Sequence, residues 1–418
     1  MAATESAPYL AGTVDIRAAG PRCKMLLGDL DGDGRMEIVM VQPGSRKDVR
    51  YIPHQVQCVT AFDLLGNRLW QTGTPHPEAG GPGADYPAQL YDWDGDGRLE
   101  VLCVMEDRFV ALEGATGKIK RTHPLPDPQA HDCIIIANVS GNDRPGDILL
   151  KDRYSRMWAM DRDFRLLWTH EGNIGHFPWP YDWDGDGRDE VMAGYDMLSP
   201  EGRVMWSCRG LDDHADCIWT GDVNGDGEPE IVIGGSVTVL YDRHGRELWR
   251  YEGSIESQHV ALGKFRSDLP GLQIAGLDRI IRGGREKPGK DGMFLLDAEG
   301  SEVWKEERTT SGWLTIIETL RGWDDGPLDY ILAFRRGGGL YPALYDGHMR
   351  TAVQFPADGY AAHADLLGSG REQVVIYDHE TASVYSGSPV DLSASVSGAP
   401  LKMSKRLYSS TLYPGGEV

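Results

Sequence analysis

Asp29-Leu30-Asp31-Gly32-Asp33-Gly34-Arg35-Met36-Glu37, followed at once by Ile38-Val39-Met40-Val41, is the stretch on which the fold turns. The apolar run Met25-Leu26-Leu27 precedes it, so the segment reads as strand, tight loop, strand. The template returns at Asp92–Glu100, Asp182–Glu190 and Asp222–Glu230, the last with Asn224 in place of an aspartate. Degenerate copies begin at Asn138, Lys264, Arg321 and Asp365. The eight starts, at 29, 92, 138, 182, 222, 264, 321 and 365, are mostly 40 to 46 residues apart. The two longer intervals hold insertions, at 43–55 with 71–85 and at 278–292.

A second signature follows most loops: an apolar strand, then Asp-x-x-Gly, then Trp four residues on. Asp63…Gly66…Trp70, Asp242…Gly245…Trp249 and Asp297…Gly300…Trp304 are examples. The turn residues end one strand, and the Trp opens the next where a large ring can fill the space between repeats. Two strand pairs per repeat make a four-stranded antiparallel blade, and the period is that of propeller repeats. Helical periodicity is nearly absent. The pattern predicts an all-β, eight-bladed β-propeller, one domain over residues 1–418, with Asp-rich loops between the first and second strands of several blades. The eighth blade has the weakest signal, because the tail from 387 reads poorly as strand.

Composition narrows the class. The 418 residues include 53 glycines and are 40% hydrophobic, a globular and turn-rich mix. No run of about 18 apolar residues occurs, so no membrane span is expected. A formal charge of −22 argues against nucleic acid as a partner. Met1 to Pro8 has neither a basic region nor an apolar one, so it does not read as a secretory signal. The six cysteines are scattered, with no paired spacing, and read as buried free thiols. A cytoplasmic setting is the expectation, or a secreted one if a leader precedes this sequence.

Asp at positions one, three and five, with Gly at four and six, is the grammar of oxygen-rich cation loops. Three carboxylates within five residues repel one another unless a cation joins them. Calcium is expected rather than magnesium, which prefers octahedral sites with retained water. The loops resemble the short calcium loops of integrin-type propellers, including FG-GAP repeats. That resemblance implies ligation by Asp29, Asp31, Asp33 and Glu37 with the Arg35 carbonyl. The others follow: Asp92, Asp94, Asp96, Arg98 and Glu100; Asp182, Asp184, Asp186, Arg188 and Glu190; Asp222, Asn224, Asp226, Glu228 and Glu230.

An inner strand that runs into the Asp loop begins on the opposite face, beside the central funnel. Residues five to eight positions before each loop therefore ring that mouth: Arg22 and Lys24, Asp85 and Tyr86, His131 and Asp132, His176, His214 and Asp216, Gln258 and His259, Trp313, and Tyr360. His363 follows a little further in. Turns opening on the same face carry Arg46, Lys47, Arg50, His54, Lys151, Arg153, Arg156, Arg279, Arg282, Arg285, Lys287, Arg335 and Arg336. A basic, His-rich funnel is the expectation, with His176 and His214 as an acid/base pair and His131 and His259 orienting substrate. Cleaving an acidic sugar chain by β-elimination suits these residues. Arg neutralises the uronate carboxylate, and His takes the C5 proton and assists the leaving oxygen. Trp313, Tyr86 and Tyr360 suit stacking on sugar faces.

The stretch His259-Val-Ala-Leu-Gly-Lys264-Phe-Arg-Ser-Asp-Leu-Pro270-Gly-Leu-Gln273, with the closing Arg406-Leu-Tyr-Ser-Ser-Thr-Leu-Tyr-Pro414, is similar to the rhamnogalacturonan lyases built from an eight-bladed propeller. This chain has Lys264 where that family carries Asp. The resemblance implies a lyase acting on rhamnose- and uronate-containing glycans by β-elimination. Two other readings stand beside it: a non-catalytic glycan- or protein-binding propeller, and a glycoside hydrolase using Asp132 and Asp216.

Overall fold

Every loop of the repeat, complete or degenerate, joins two antiparallel strands, and each pair continues into a second pair. The computed structural model describes residues 7–44, 54–80, 85–211, 215–281, 289–310, 316–335, 339–394, 400–401 and 415–418. Blade 1 runs from its inner strand Lys24–Gly28 through Glu37–Pro43 and Val56–Phe62 to its outer strand Arg68–Gly73. The inner strands of blades 2 to 7 are Ala88–Tyr91, Ile134–Ala137, Trp179–Tyr181, Cys217–Gly221, His259–Gly263 and Ile316–Leu320. Blade 8 contains Tyr360–Ala364, Gln373–Tyr377 and Thr381–Ser386, and its fourth strand is Tyr9–Asp15 from the other end of the sequence. That pairing closes the ring and explains the poor strand signal after 387. Closure leaves no repeat without a neighbour, so no polar cap is needed.

Gly416–Glu417 adds a short parallel strand against Trp219 and Thr220 of blade 5, an element the repeat pattern does not announce. Among the described residues the helical structure is one 3-10 turn, Arg17–Ala19, and no helix is long and apolar enough to cross a membrane. All six cysteines are free thiols and buried.

The core lies between blades, where second and third strands of neighbours bury Val, Ile and Leu against one another. The Asp-x-x-Gly…Trp signature acts here. The Trp70 indole N–H donates to the Gly114 carbonyl of blade 2 at 2.7 Å, and Trp168 and Trp249 reach Pro200 and Ala298 of the next blades at 2.9 Å. The glycine of that next turn lies beneath the ring. At Gly300, φ is +78° and an added Cβ would meet the Trp249 ring at 2.6 Å. Glycine is required there twice over.

Every outer strand carries one β-bulge, marked by a register shift against the third strand. The bulged residues are Leu69, Lys120, Leu167, Met205, Leu248, Val303, Ala352 and, in blade 8, Ala11. A bulge redirects its side chain out of the normal alternation.

Candidate active site and metal loops

Antiparallel order places the Asp loops and Asp-x-x-Gly turns on one face. The starts of the inner strands, with the turns between second and third strands, lie on the other. At this second face a contiguous arc of polar side chains crosses blades 1 to 5. Lys24 lies 4.0 Å from Asp85 and 4.4 Å above the Tyr86 ring. Arg153 binds Asp85 at 3.5 Å and Asp132 at 3.0 Å, and Lys151 binds Asp132 at 2.6 Å. Arg153 also stacks over Tyr154, whose ring meets His176 edge-on at 5.1 Å. His176 Nε2 in turn lies 3.4 Å from Asp216.

Register explains the convergence. Tyr86, Asp132, His176 and Asp216 each stand six positions before the loop of their own blade, so one ring height collects them from four consecutive blades. All four are buried, as are Lys24, Asp85, Lys151 and Arg153.

Among the described residues, several cations expected to make this face basic are paired with carboxylates. Lys24, Lys151 and Arg153 are matched by Asp85 and Asp132, and Arg279 is matched by Glu256. A buried charge is costly unless paired, and the fold supplies a partner for each. His131 and His259 are buried at the same face, His259 at the start of the blade 6 inner strand. Arg22 is exposed, with a left-handed backbone (φ +62°), and its carbonyl accepts from the Tyr86 hydroxyl. Tyr360 is half-buried and stacks on Tyr377. Arg335 is half-buried in blade 7. His214, Trp313, Arg46, Lys47, Arg50, Arg282, Arg285, Lys287, Arg336 and the 406–414 stretch lie outside the described residues.

His363 does not join the arc. It stands two positions before the blade 8 loop, at the loop end of its inner strand, between Glu318 at 2.7 Å and Glu372 at 2.9 Å. Burial alone would disfavour its charged form, but the Glu372 charge and hydrogen bonds to both glutamates outweigh it, lifting its pKa to about 10. Tyr154, Glu256 and Glu318 were not picked out by the sequence reading. Tyr154 adjoins Arg153 in sequence, but only packing brings it against His176.

The Asp loops can hold a metal ion. In blade 1 the ligand oxygens of Asp29, Asp31 and Asp33 lie within 4.8 Å of one another, as do those of Asp92, Asp94 and Asp96 in blade 2 and of Asp182, Asp184 and Glu190 in blade 4. The first aspartate holds the turn: Asp29 accepts from the backbone N–H groups of Gly32 at 2.8 Å and Gly34 at 3.0 Å. Burial, aided by the neighbouring aspartates, pushes Glu37 up to about 8 and Glu190 up to about 7. A divalent cation would offset both the burial and the mutual repulsion of these carboxylates, and the clustering of their oxygens within 4.8 Å fits one. The four complete loops are not alike, however. In blade 2 the carboxylates share Lys120, and in blade 5 the Asn224 amide donates to Asp226 and Glu230.

An FG-GAP-like repeat model matches residues 29–103. The rhamnogalacturonan endolyase YesW of Bacillus subtilis is 25% identical over 268 residues, which cover 50% of this chain and 42% of that protein. The chain is similar to rhamnogalacturonan lyases. The exolyase YesX of the same organism is 22% identical over 347 residues, covering 66% of this chain and 55% of its own length. This chain thus spans about half the length of the curated lyases it matches. A crystal structure of the exotype lyase YesX superposes with a TM-score of 0.70 at 18% identity, covering 99% of this chain and 80% of that one. The propeller is therefore shared around the whole ring.

Proposed function

We propose that this chain is a polysaccharide lyase that cleaves rhamnose- and uronate-containing glycans by β-elimination at the strand-start face. The observation that carries this reading is the juxtaposition of His176, backed by Asp216, with Arg153 across Tyr154, in a chain similar to rhamnogalacturonan lyases. Elimination needs a cation against the C6 carboxylate, which acidifies the C5 proton, and a base to remove it. Arg153, anchored through one guanidinium nitrogen by Asp85 and Asp132, takes the first role and His176 the second, with Asp216 orienting the imidazole and stabilising its protonated form. Burial of the arc strengthens these charge interactions relative to water. Calcium is the ion proposed for the Asp loops of blades 1 and 4, where it pins the turn between first and second strands. A reducing compartment accords with the six buried thiols.

Incubation with rhamnogalacturonan oligosaccharides tests the reaction. Elimination leaves a double bond conjugated to the carboxylate, so ultraviolet absorbance rises and fragment masses sum to the substrate mass. Fragments heavier by one water would make the protein a hydrolase. Binding without cleavage across a panel of acidic glycans would make it a binding propeller.

A further inference from the structure

The bulged residue of the outer strand is apolar in seven blades and lysine in blade 2. In blade 4 that residue, Met205, lines a small cavity with Asp184 and Glu190, so the bulge aims its side chain over the Asp loop of its own blade. Lys120 follows the same path in blade 2. Its ammonium lies 2.6 Å from Glu100, 2.8 Å from Asp94 and 3.1 Å from Asp96. An ammonium has three N–H donors, and here each meets a different carboxylate. Glu100 is buried, and the lysine is only 26% exposed, so the contact is more than a solvated surface pair.

We infer that Lys120 is the resident cation of the blade 2 loop, and that this loop takes no divalent ion in the wild-type chain. The inference rests on the calcium reading of the loops in blades 1 and 4. A divalent ion bound by Asp94, Asp96 and Glu100 would have to displace an ammonium tethered at the same place, which competes as an intramolecular partner. Blade 6 closes its loop with a lysine in a different way, from within the loop itself. Lys264, standing at the loop's first position, donates to the carbonyls of Leu269 at 2.7 Å and Gly271 at 2.6 Å, where its equivalents in the complete loops are aspartates. The propeller therefore closes some loops with a cation of its own.

Lys120→Met tests this, since Met205 shows that the bulge accepts methionine. Bound calcium is counted by elemental analysis and calorimetric titration, and thermal midpoints are measured in chelator and in calcium. The substituted chain should hold one more calcium ion than wild type. Its midpoint in chelator should fall below wild type and recover when calcium is added. Equal calcium counts in two chains that both bind the ion would overturn the inference, as would an unchanged midpoint in chelator. If neither chain binds calcium but the midpoint in chelator still falls, the metal reading of the other loops fails while Lys120 remains the cation of blade 2.

Discussion

The Nε2 atom of His176 lies 3.4 Å from Oδ1 of Asp216, joining residues that precede the inner strands of blades 4 and 5. Both are buried, so the carboxylate acts on the imidazole without water between them to screen it. Replacing His176 with Gln should lower turnover by about a hundredfold or more, as expected for loss of a general base. Asp216→Asn should cost less in turnover and shift the acidic limb of the pH profile downward, because the imidazolium loses its counter-charge. Steady-state absorbance assays on folded variants, checked by circular dichroism, decide this. Near-normal turnover in His176→Gln would remove His176 from the reaction.

Lys151 and Asp132 form a pair 2.6 Å apart in which both side chains are fully buried. Removing the lysine leaves Arg153 to hold Asp132 alone and strands part of a buried charge. Lys151→Met should lower unfolding stability by about 3–5 kcal/mol. Denaturant titration provides the measurement, and a loss below about 1 kcal/mol would show that Arg153 suffices.

His363 between Glu318 and Glu372 gives the fold a pH dependence of its own. Its pKa rises on folding from 6.5 to about 10, so the imidazolium binds its proton more tightly in the native state. That stabilisation is complete below the unfolded pKa and is lost as pH climbs through about 10. Thermal midpoints should therefore decline between these limits, and His363→Gln should flatten the decline. An identical alkaline profile in both chains would show that the triad does not control it.

The loops of blades 1 and 4 predict a metal-dependent midpoint. An ion that binds only the native state stabilises by about 2.7 kcal/mol per site at a hundredfold excess over Kd. Chelation should lower the midpoint by several degrees, and Asp31→Asn with Asp184→Asn should abolish most of that difference. A midpoint indifferent to chelator, together with no metal by elemental analysis, would refute calcium in these loops.

Trp249 and Gly300 test the contact between blades 5 and 6. Trp249→Phe keeps the apolar ring but loses the bond to the Ala298 carbonyl, and should cost about 1 kcal/mol. Gly300→Ala should cost more, since φ is +78° there and the new methyl would meet the indole ring at 2.6 Å. Denaturant midpoints of the two variants should rank in that order.

The repeat was legible in the sequence because its information is local. Asp, Gly and Trp occupy fixed offsets within one blade, and a turn residue is constrained by its own backbone whatever lies across the ring. Blade count, the position of each loop and the face of the strand starts follow from those offsets. The source of the fourth strand in blade 8 did not, because Tyr9–Asp15 and Thr381–Ser386 meet only when the ring closes. Charge pairing was equally hidden. Arg153 and Lys24 read as free cations in sequence, and only folding brings Asp132 of its own blade and Asp85 of the neighbouring one against Arg153, and Asp85 against Lys24. The same holds for His363, which lies at the loop end of its inner strand rather than at the strand start, and for Lys120, which a bulge swings into its own blade's loop. Sequence by itself determined the repeated unit, since local torsional demands specify its turns. Tertiary structure decided which charges face one another, because electrostatic partners are chosen by distance in space, and here that distance is set by how eight blades close.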